Sequence, residues 1–146
     1  MKLLLLYFCL VSTQISYSQE AVDTNIVKHE KLIDIVVAGI ESNNSLEISN
    51  IRGLDSLQRE YTADVAWEIA TKGIKKIKCL FDALDSSIGF YFIKGQLIFV
   101  LEGANRFYFI SNTFYDIDGK AIENEKQIEL LGLDRRLRRN IPKILY

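Results

Sequence analysis

The chain has 146 residues, 49% of them apolar, and its 18 basic and 19 acidic side chains leave a formal net charge of −1. This length corresponds to one domain. The aromatic and aliphatic content excludes a disordered chain, while one Pro and two Cys exclude collagen-like and disulfide-rich proteins. The near-balance of charge argues against nucleic-acid binding, which requires a basic surface.

Residues 1–18 have the pattern of a secretory signal peptide. Lys2 supplies the positive charge, residues 3–11 form an apolar run, and a polar segment with small residues follows. We therefore expect cleavage near Ser18-Gln19 and an exported protein, either periplasmic or secreted. The apolar run is about half of the roughly 20 residues that span a bilayer, and we expect no transmembrane segment after cleavage.

Residues 19–146 are expected to form a single α+β domain. Of these 128 residues 59 are apolar, which is ordinary for a globular domain. Cys79 is the only cysteine left after cleavage, so we expect no internal disulfide and a domain that depends on its hydrophobic core. The alternation around Cys79 places it on an apolar face and predicts a buried, inert thiol.

The first predicted element is an amphipathic helix over about 24–41. Apolar residues recur at helical spacing from Ile26 to Ile40, and polar residues follow at the end of the segment. Residues 45–61 suit both a short helix and a strand, and the pattern leaves the two open.

Residues of about 62–122 predict an antiparallel β-meander of about five or six strands. In its first hairpin, a three-residue turn pairs Trp67 with Ile77 and Glu68 with Lys76. This register gathers the apolar side chains on one face and adds a pair of opposite charges on the other.

The clearest hairpin turns at residues 94–95, where the glycine supplies the positive φ of a primed turn. A regular ladder from this turn places Phe90 opposite Phe99 and Tyr91 opposite Ile98. Both faces of these strands are then apolar, which predicts that they lie centrally with a layer covering each side.

The last predicted element is a helix over about 123–141, ended by Pro142. Its apolar stripe is predicted to run through Ile128 and Leu131 towards Leu137 or Ile141. Acidic residues come first and arginines last, which complements the helix dipole. The first and last helices are expected to pack on the sheet.

One segment has the spacing of a calcium-binding loop. If Phe114 is position 1 of an EF-hand, then Asp116, Asp118, Gly119 and Glu125 fall at positions 3, 5, 6 and 12. Position 1 requires a carboxylate, however, and a hairpin turn explains the Asp-Gly pair by itself. We favour the turn and expect neither a metal nor a cofactor.

Signals for catalysis are few. The sequence has no Gly-rich phosphate loop and no serine elbow, and the single histidine, His29, has no second His for a metal site. Glu68, Asp82 and Asp85 are the candidate acids of a hydrolase, although Asp and Ser in a turn are also expected from backbone hydrogen bonding alone. We favour a protein that is not an enzyme.

The aromatic residues are the most informative feature for binding. Ten of the 13 aromatics in residues 19–146 lie between Phe81 and Tyr115, so they fill the core or line a cleft between sheet and helix. Tyrosine and tryptophan combine an apolar ring with a polar group, so they favour the boundary between an apolar region and water. The candidate ligand-binding residues are therefore Tyr91, Tyr108, Tyr115 and Trp67.

The arginine-rich end of the last helix is the sharpest charge feature. It comprises Arg135, Arg136, Arg138 and Arg139. A solvated helix end favoured by the dipole is the preferred interpretation. The alternative is a docking surface for anionic lipid, polysaccharide or an acidic partner.

Three segments form aromatic-rich hairpins, namely GFYFIKGQLIFV at 89–100, NRFYF at 105–109 and FYDIDGKAI at 114–122. They resemble the YYFxxGKLI hairpins of small uncharacterised secreted proteins of Bacteroidota-type bacteria and, more distantly, MORN-variant repeats. The resemblance implies a secreted, β-rich fold and no particular activity.

Together these features favour an exported, non-catalytic binding or interaction module with an aromatic-lined cleft between sheet and helix. Its partner would be a small apolar ligand or a protein. The alternatives are an exported hydrolase and a structural or assembly subunit of the cell envelope that docks through a sheet edge or the arginine-rich terminus.

Overall fold

The computed structural model describes residues 25–55, 57–81 and 86–141. The predicted signal peptide lies outside the described residues. A first helix, α1, covers residues 25–41. It is followed by β1 (Glu47–Leu54), β2 (Glu60–Glu68), β3 (Gly73–Phe81), β4 (Ser86–Ile93), β5 (Gln96–Glu102), β6 (Asn105–Ile110), β7 (Thr113–Tyr115) and a second helix, α2 (Asn124–Asn140).

The seven strands form one antiparallel sheet in which every strand neighbours the next along the chain. The predicted α+β class with an antiparallel meander is therefore confirmed, with seven strands instead of five or six. β1 lies in the segment for which the sequence left helix and strand open. Its Ile51 is buried while Asn50 and Arg52 on either side are exposed, which is the period of a strand.

The sheet is covered on both faces, as the apolar central strands predicted. The larger core lies between the sheet and α2, and its fully buried members include Phe90, Phe92, Val100, Leu130 and Leu137. The smaller core lies between the sheet and α1, where Ile33 packs with Tyr91, Phe99 and Tyr108. Burying side chains of this size stabilises the fold by roughly 1.5–3 kcal/mol each.

Polar contacts show how α1 crosses its face of the sheet. Asp34, in the middle of the helix, accepts a hydrogen bond from Arg106 of β6 at 2.6 Å. Glu41, at its end, accepts one from Lys76 of β3 at 2.6 Å. The helix therefore runs across the strands from β6 towards β3 and ends near the β1 side of the sheet.

The opposite face is crossed by α2 in the same general direction. Gln127, near its start, accepts a hydrogen bond from the backbone N–H of Phe114 in β7 at 3.2 Å. Asn140, at its end, donates to the hydroxyl of Tyr61 in β2 at 2.6 Å. This path places the α2 arginines near the tips of the central hairpins.

The buried stripe of α2 differs from the predicted one. Leu130, Leu133 and Leu137 face the sheet, whereas Ile128 is 71% exposed and Leu131 is half-buried. Apolar residues stand on more than one side of this helix, so periodicity alone did not identify the side that the sheet covers.

The register predicted for the β2–β3 hairpin is wrong. Trp67 pairs with Ile74 instead of Ile77, and Glu68 does not oppose Lys76, because a bulge interrupts the ladder and the turn begins earlier. On the other side of the bulge Val65 pairs with Ile77 instead of Cys79, a shift of two residues, which leaves these side chains on the same face. The hydrophobic pattern therefore determined the faces of these strands but not their register.

The β4–β5 hairpin has the predicted turn, with φ of 49° and 77° at its two central residues. Next to the turn Phe92 opposes Leu97, as a regular ladder predicts, but the pairs predicted further along are wrong, because Phe90 opposes Val100 and Tyr91 opposes Phe99. A bulge makes Ile98 an extra residue in β5. As a result Phe99 joins Tyr91 on the face that α1 covers.

The segment with calcium-loop spacing is a turn. The Asp116 side chain accepts hydrogen bonds from the backbone N–H groups of Asp118 and Lys120 at 3.0 and 2.9 Å, and Gly119 has a φ of 72°. These contacts confirm the turn interpretation, because the Asp116 carboxylate bonds the backbone of its own loop.

Candidate functional site

Tyr91 and Tyr108, two of the predicted ligand-binding residues, lie under α1 and are each 2% exposed. The Tyr91 hydroxyl donates a hydrogen bond to Glu41, and the Tyr108 hydroxyl lies 3.0 Å from Asp34 Oδ1. The Phe99 ring stands between them, with centroids 5.4 Å from Tyr91 and 5.2 Å from Tyr108. These tyrosines anchor the helix to the sheet.

Electrostatics keep both hydroxyls as hydrogen-bond donors. Burial and the Asp34 carboxylate raise the pKa of Tyr108 to about 12, and burial together with Glu41 raises the pKa of Tyr91 further. Burial alone would raise the pKa of Glu41, but hydrogen bonds from Lys76 and Tyr91 outweigh it and hold this pKa below its usual value.

Of the other two predicted aromatics, one neighbours these tyrosines and one lies on the opposite face of the sheet. Tyr115 is half-buried in β7, opposite Tyr108. Trp67 packs against the larger core on the α2 side, and its Nε1 donates to Ser49 Oγ at 3.2 Å. The structure therefore does not bring the four predicted residues together in one cleft.

Among the four predicted docking arginines, Arg138 is held by the fold. Its Nε donates to Asp134 Oδ1 at 2.8 Å, its Nη1 donates to the Gly95 carbonyl at 2.8 Å, and its guanidinium lies 4.8 Å from the Phe92 ring centre. Asp134 is only 3% exposed, so Arg138 compensates a buried carboxylate and links α2 to the tip of the β4–β5 hairpin.

The remaining three arginines differ in exposure. Arg135 and Arg139 are exposed, whereas Arg136 is half-buried. Within the described residues, the Arg136 Nε atom is buried and has no hydrogen-bond partner. Arg135 and Arg139 are therefore the more exposed of the three.

Arg135 lines an open groove of about 550 Å³ between α2 and the tips of two hairpins. We call it the α2 groove. Leu97, Phe109 and Leu131 give it apolar walls, and Arg138 and Asp134 form its charged end. The turn between β6 and β7, with φ of 50° and 65° at residues 111–112, closes one side.

The α2 groove has the volume of a small-ligand site, and polar residues such as Gln96, Ser111 and Asn112 share its lining with the apolar side chains. Pockets for small molecules are typically about 300–1,000 Å³ with mainly apolar walls and a few placed polar groups. Because Arg138 already compensates Asp134, Arg135, which forms no ion pair with another described residue, supplies the further positive charge of the groove. A guanidinium of this kind pairs with a carboxylate, phosphate or sulfonate through its planar donors.

A second groove, of about 350 Å³, lies beside the end of α1 over β1–β3. We call it the α1 groove. Ile48, Glu41, Asp64 and Lys76 are among the residues that line it. Two of its charges are engaged already, because Lys76 pairs with Glu41 at 2.6 Å and Asp64 accepts a hydrogen bond from Asn50 at 2.9 Å. With Lys78, which also lines this groove, its two acidic and two basic residues balance, whereas the two arginines and one aspartate of the α2 groove leave one net positive charge.

Sequence reasoning did not identify Phe109 and Asp134 as members of a site. Asp134 stands four residues before Arg138, a spacing at which opposite charges meet on one helix face, and this signal was available. No comparable signal distinguished Phe109 in the sequence, because many other aromatic residues of the same sheet belong to the hydrophobic core.

The candidate acids of a hydrolase find no support in the described residues. Asp82 and Asp85 lie outside them. The pKa of Glu68 is lowered by a hydrogen bond from Thr71 and by nearby Lys75, whereas a general acid needs a raised pKa. His29 is exposed and its Nδ1 lies 2.7 Å from the Asn25 carbonyl.

No group of three or more His, Cys, Asp or Glu side chains in the described ranges is arranged to hold a metal ion. Neither helix in the same ranges has the length and apolar character to cross a membrane. No protein-family profile matches the chain, and neither does any curated protein or solved structure.

Proposed function

We propose that the protein is an exported, non-catalytic binding module that holds a small, mainly apolar ligand with an acidic group in the α2 groove. The observation that carries the proposal is the exposed guanidinium of Arg135 beside the apolar side chains of Phe109 and Leu131. The ligand's apolar body would cover these side chains, and its acidic group would pair with Arg135.

The groove walls favour a ligand with an aromatic or aliphatic body. Phe109 is half-buried and its ring packs against the ring of Phe114, with centroids 4.7 Å apart, so this wall is formed by packing within the protein itself. Covering apolar surface contributes about 25 cal/mol per Å², and a preformed wall loses little side-chain entropy on binding.

The segment before the domain supports export. Residues 1–18 have the three parts of a signal peptide, and the hairpins resemble those of small secreted Bacteroidota-type proteins. A periplasmic or secreted binding module is consistent with both. The place of cleavage is tested directly by the N-terminal mass of the exported protein, which we expect to begin at Gln19.

The charge half of the proposal is tested with the fluorescent probe 1-anilinonaphthalene-8-sulfonate, which joins an aromatic body to a sulfonate. We expect saturable binding that weakens about tenfold in Arg135→Gln, since a hydrogen bond to a charged group contributes about 1.5 kcal/mol or more. Arg139→Gln is the matched control, because Arg139 is also exposed on α2 but does not line the groove. Equal affinities of the two variants would contradict the proposal.

The apolar half is tested by a second pair of variants in α2. Leu131→Gln introduces a polar group into the groove wall and is expected to weaken binding of the same probe several-fold. Ile128→Gln, at a position 71% exposed and outside the groove, is expected to bind as the wild type does. If Ile48→Gln in the α1 groove abolishes binding while Leu131→Gln does not, the ligand site is the other groove.

A further inference from the structure

The strand β1 is an edge of the sheet, and its backbone is arranged to accept another strand. Within the described residues it pairs with β2 alone. The backbone N–H of Asp55 donates to the Arg59 carbonyl at 3.0 Å, which marks this pair as hydrogen-bonded. Because such pairs alternate along an antiparallel ladder, the amides of odd-numbered residues face β2 and those of even-numbered residues face outward. The outward residues are Ile48, Asn50, Arg52 and Leu54.

The side chains of these outward residues leave apolar surface at both ends of the edge. Ile48 is 68% exposed and Leu54 is 47% exposed, on the side of the sheet opposite the buried Ile51. The pairing of β1 with β2 is regular over eight residues. Edge strands are usually protected by bulges, prolines or charges, and among the outward residues of β1 only Arg52 is charged.

We propose that β1 pairs with β1 of a second copy of this chain, antiparallel and about a two-fold axis at Ile51. In this register Ile48 opposes Leu54 of the second copy, and Asn50 opposes Arg52 of the second copy. Opposed residues must share a face, so the register can change only in steps of two. A shift of two residues would place Ile48 opposite Arg52 of the second copy and leave Leu54 without a partner in β1 of the second copy. The proposed register is therefore the one that pairs the whole edge.

A second copy fits this edge because the edge is complementary to itself. A two-fold interface uses the same patch twice, and here each apolar end meets the other apolar end while the amide of Asn50 meets a guanidinium. The proposed pairing satisfies the outward N–H and C=O groups from Ile48 to Leu54. It joins the two sheets into one continuous sheet and leaves the α2 groove of each copy free.

The experiment is sedimentation equilibrium on the purified protein and two variants of one residue. Asn50→Pro removes an outward N–H and leaves the ladder to β2 intact, since proline is tolerated on an edge strand where its nitrogen faces solvent. Asn50→Ala removes the same side chain and keeps the N–H. We expect dimers for the wild type and Asn50→Ala, and monomers for Asn50→Pro. A wild type that is monomeric at every concentration overturns the proposal, as does a dimer that Asn50→Pro leaves unchanged.

The register is tested by cross-linking, which does not depend on Asn50→Pro folding. In the double variant Ile48→Cys/Leu54→Cys, the opposed Cα atoms of the two copies would be about 5.5 Å apart, within the range of a disulfide. Within one chain the same positions are about 20 Å apart, so they cannot bridge. We expect a covalent dimer on mild oxidation. The control Ile48→Cys/Arg52→Cys, two residues out of register, should stay mainly monomeric, and equally fast cross-linking of the control overturns this register.

Discussion

Lys76 Nζ lies 2.6 Å from Glu41 Oε1 and 5.3 Å from the centre of the Tyr91 ring, whose hydroxyl also bonds Glu41. This contact joins the third strand, the fourth strand and the end of α1. The hairpin register predicted from the sequence paired Lys76 with Glu68 across the two strands instead. The helix that covers the sheet, and not the neighbouring strand, supplies the partner of Lys76.

The Tyr91 hydroxyl is expected to stabilise the docking of α1. Tyr91→Phe leaves the ring in the core and removes one buried hydrogen bond, so we expect the free energy of unfolding to fall by about 1 kcal/mol. Urea denaturation measures it. Tyr115→Phe, at a half-buried position, is the control and should change stability by less. Equal effects of the two variants would contradict the role given to Tyr91.

The contribution of Glu41 is expected to depend on pH. Its pKa in the folded protein lies below the usual 4.5. The carboxylate therefore stabilises the fold above pH 4.5, and this contribution is lost as the pH falls through the lowered pKa. Glu41→Gln should be less stable than the wild type near pH 7 and similar to it near pH 2. A stability difference that stays constant across this range would contradict the lowered pKa.

Glu30 is expected to behave in the opposite way. Its Oε1 atom is buried without a hydrogen-bond partner in the described chain, and burial together with Asp34, Asp116 and Asp118 raises its pKa above the usual 4.5. Ionisation of Glu30 therefore costs stability as the pH rises through the raised pKa. We expect Glu30→Gln to unfold at a higher temperature than the wild type near neutral pH and at a similar temperature near pH 3. Glu47→Gln, an exposed acid on β1, should show no such gain.

The buried pair Asp134–Arg138 should be among the most sensitive polar contacts of α2. Asp134→Asn removes the carboxylate that accepts two hydrogen bonds from Arg138, so we expect a loss of about 1.5–3 kcal/mol, the contribution of hydrogen bonds to a charged group. Glu129→Gln in the same helix is the control, because the Glu129 ion pair with Lys126 is exposed and such pairs contribute under about 1 kcal/mol. Chemical denaturation compares them, and a loss for Asp134→Asn no larger than that for Glu129→Gln would contradict the burial argument.

Cys79 should be unreactive in the folded protein. It is 0% exposed, and burial together with Asp55 raises the pKa of its thiol to about 12. We expect iodoacetamide to label the Cys79 peptide only after denaturation, as measured by mass spectrometry. Labelling at equal rates with and without denaturant would show that β3 opens readily.

Part of the candidate site could be predicted from the sequence. The arginines of α2 and the aromatic density of the sheet were visible, and Arg135 and Arg138 do line the α2 groove. Tyr91 and Tyr108 were chosen for their polar tips, and those tips are bonded to acids of α1. The sequence could not indicate this, because Asp34 and Glu41 lie 74 and 50 residues away from their tyrosine partners.

Local patterns in the sequence predicted most of the elements, namely two helices, an antiparallel meander, and central strands that are apolar on both sides. Local periodicity and turn chemistry encode these features, because they depend on side chains a few residues apart. The register of the hairpins, the buried side of α2 and the partner of each buried charge depend instead on packing between distant parts of the chain. Registers that differ by two residues have nearly the same local hydrophobic pattern, and so do alternative buried faces of a helix. Only packing across the whole sheet distinguishes them. The apolar residues of a chain with average composition are therefore divided between two separate cores, one under each helix.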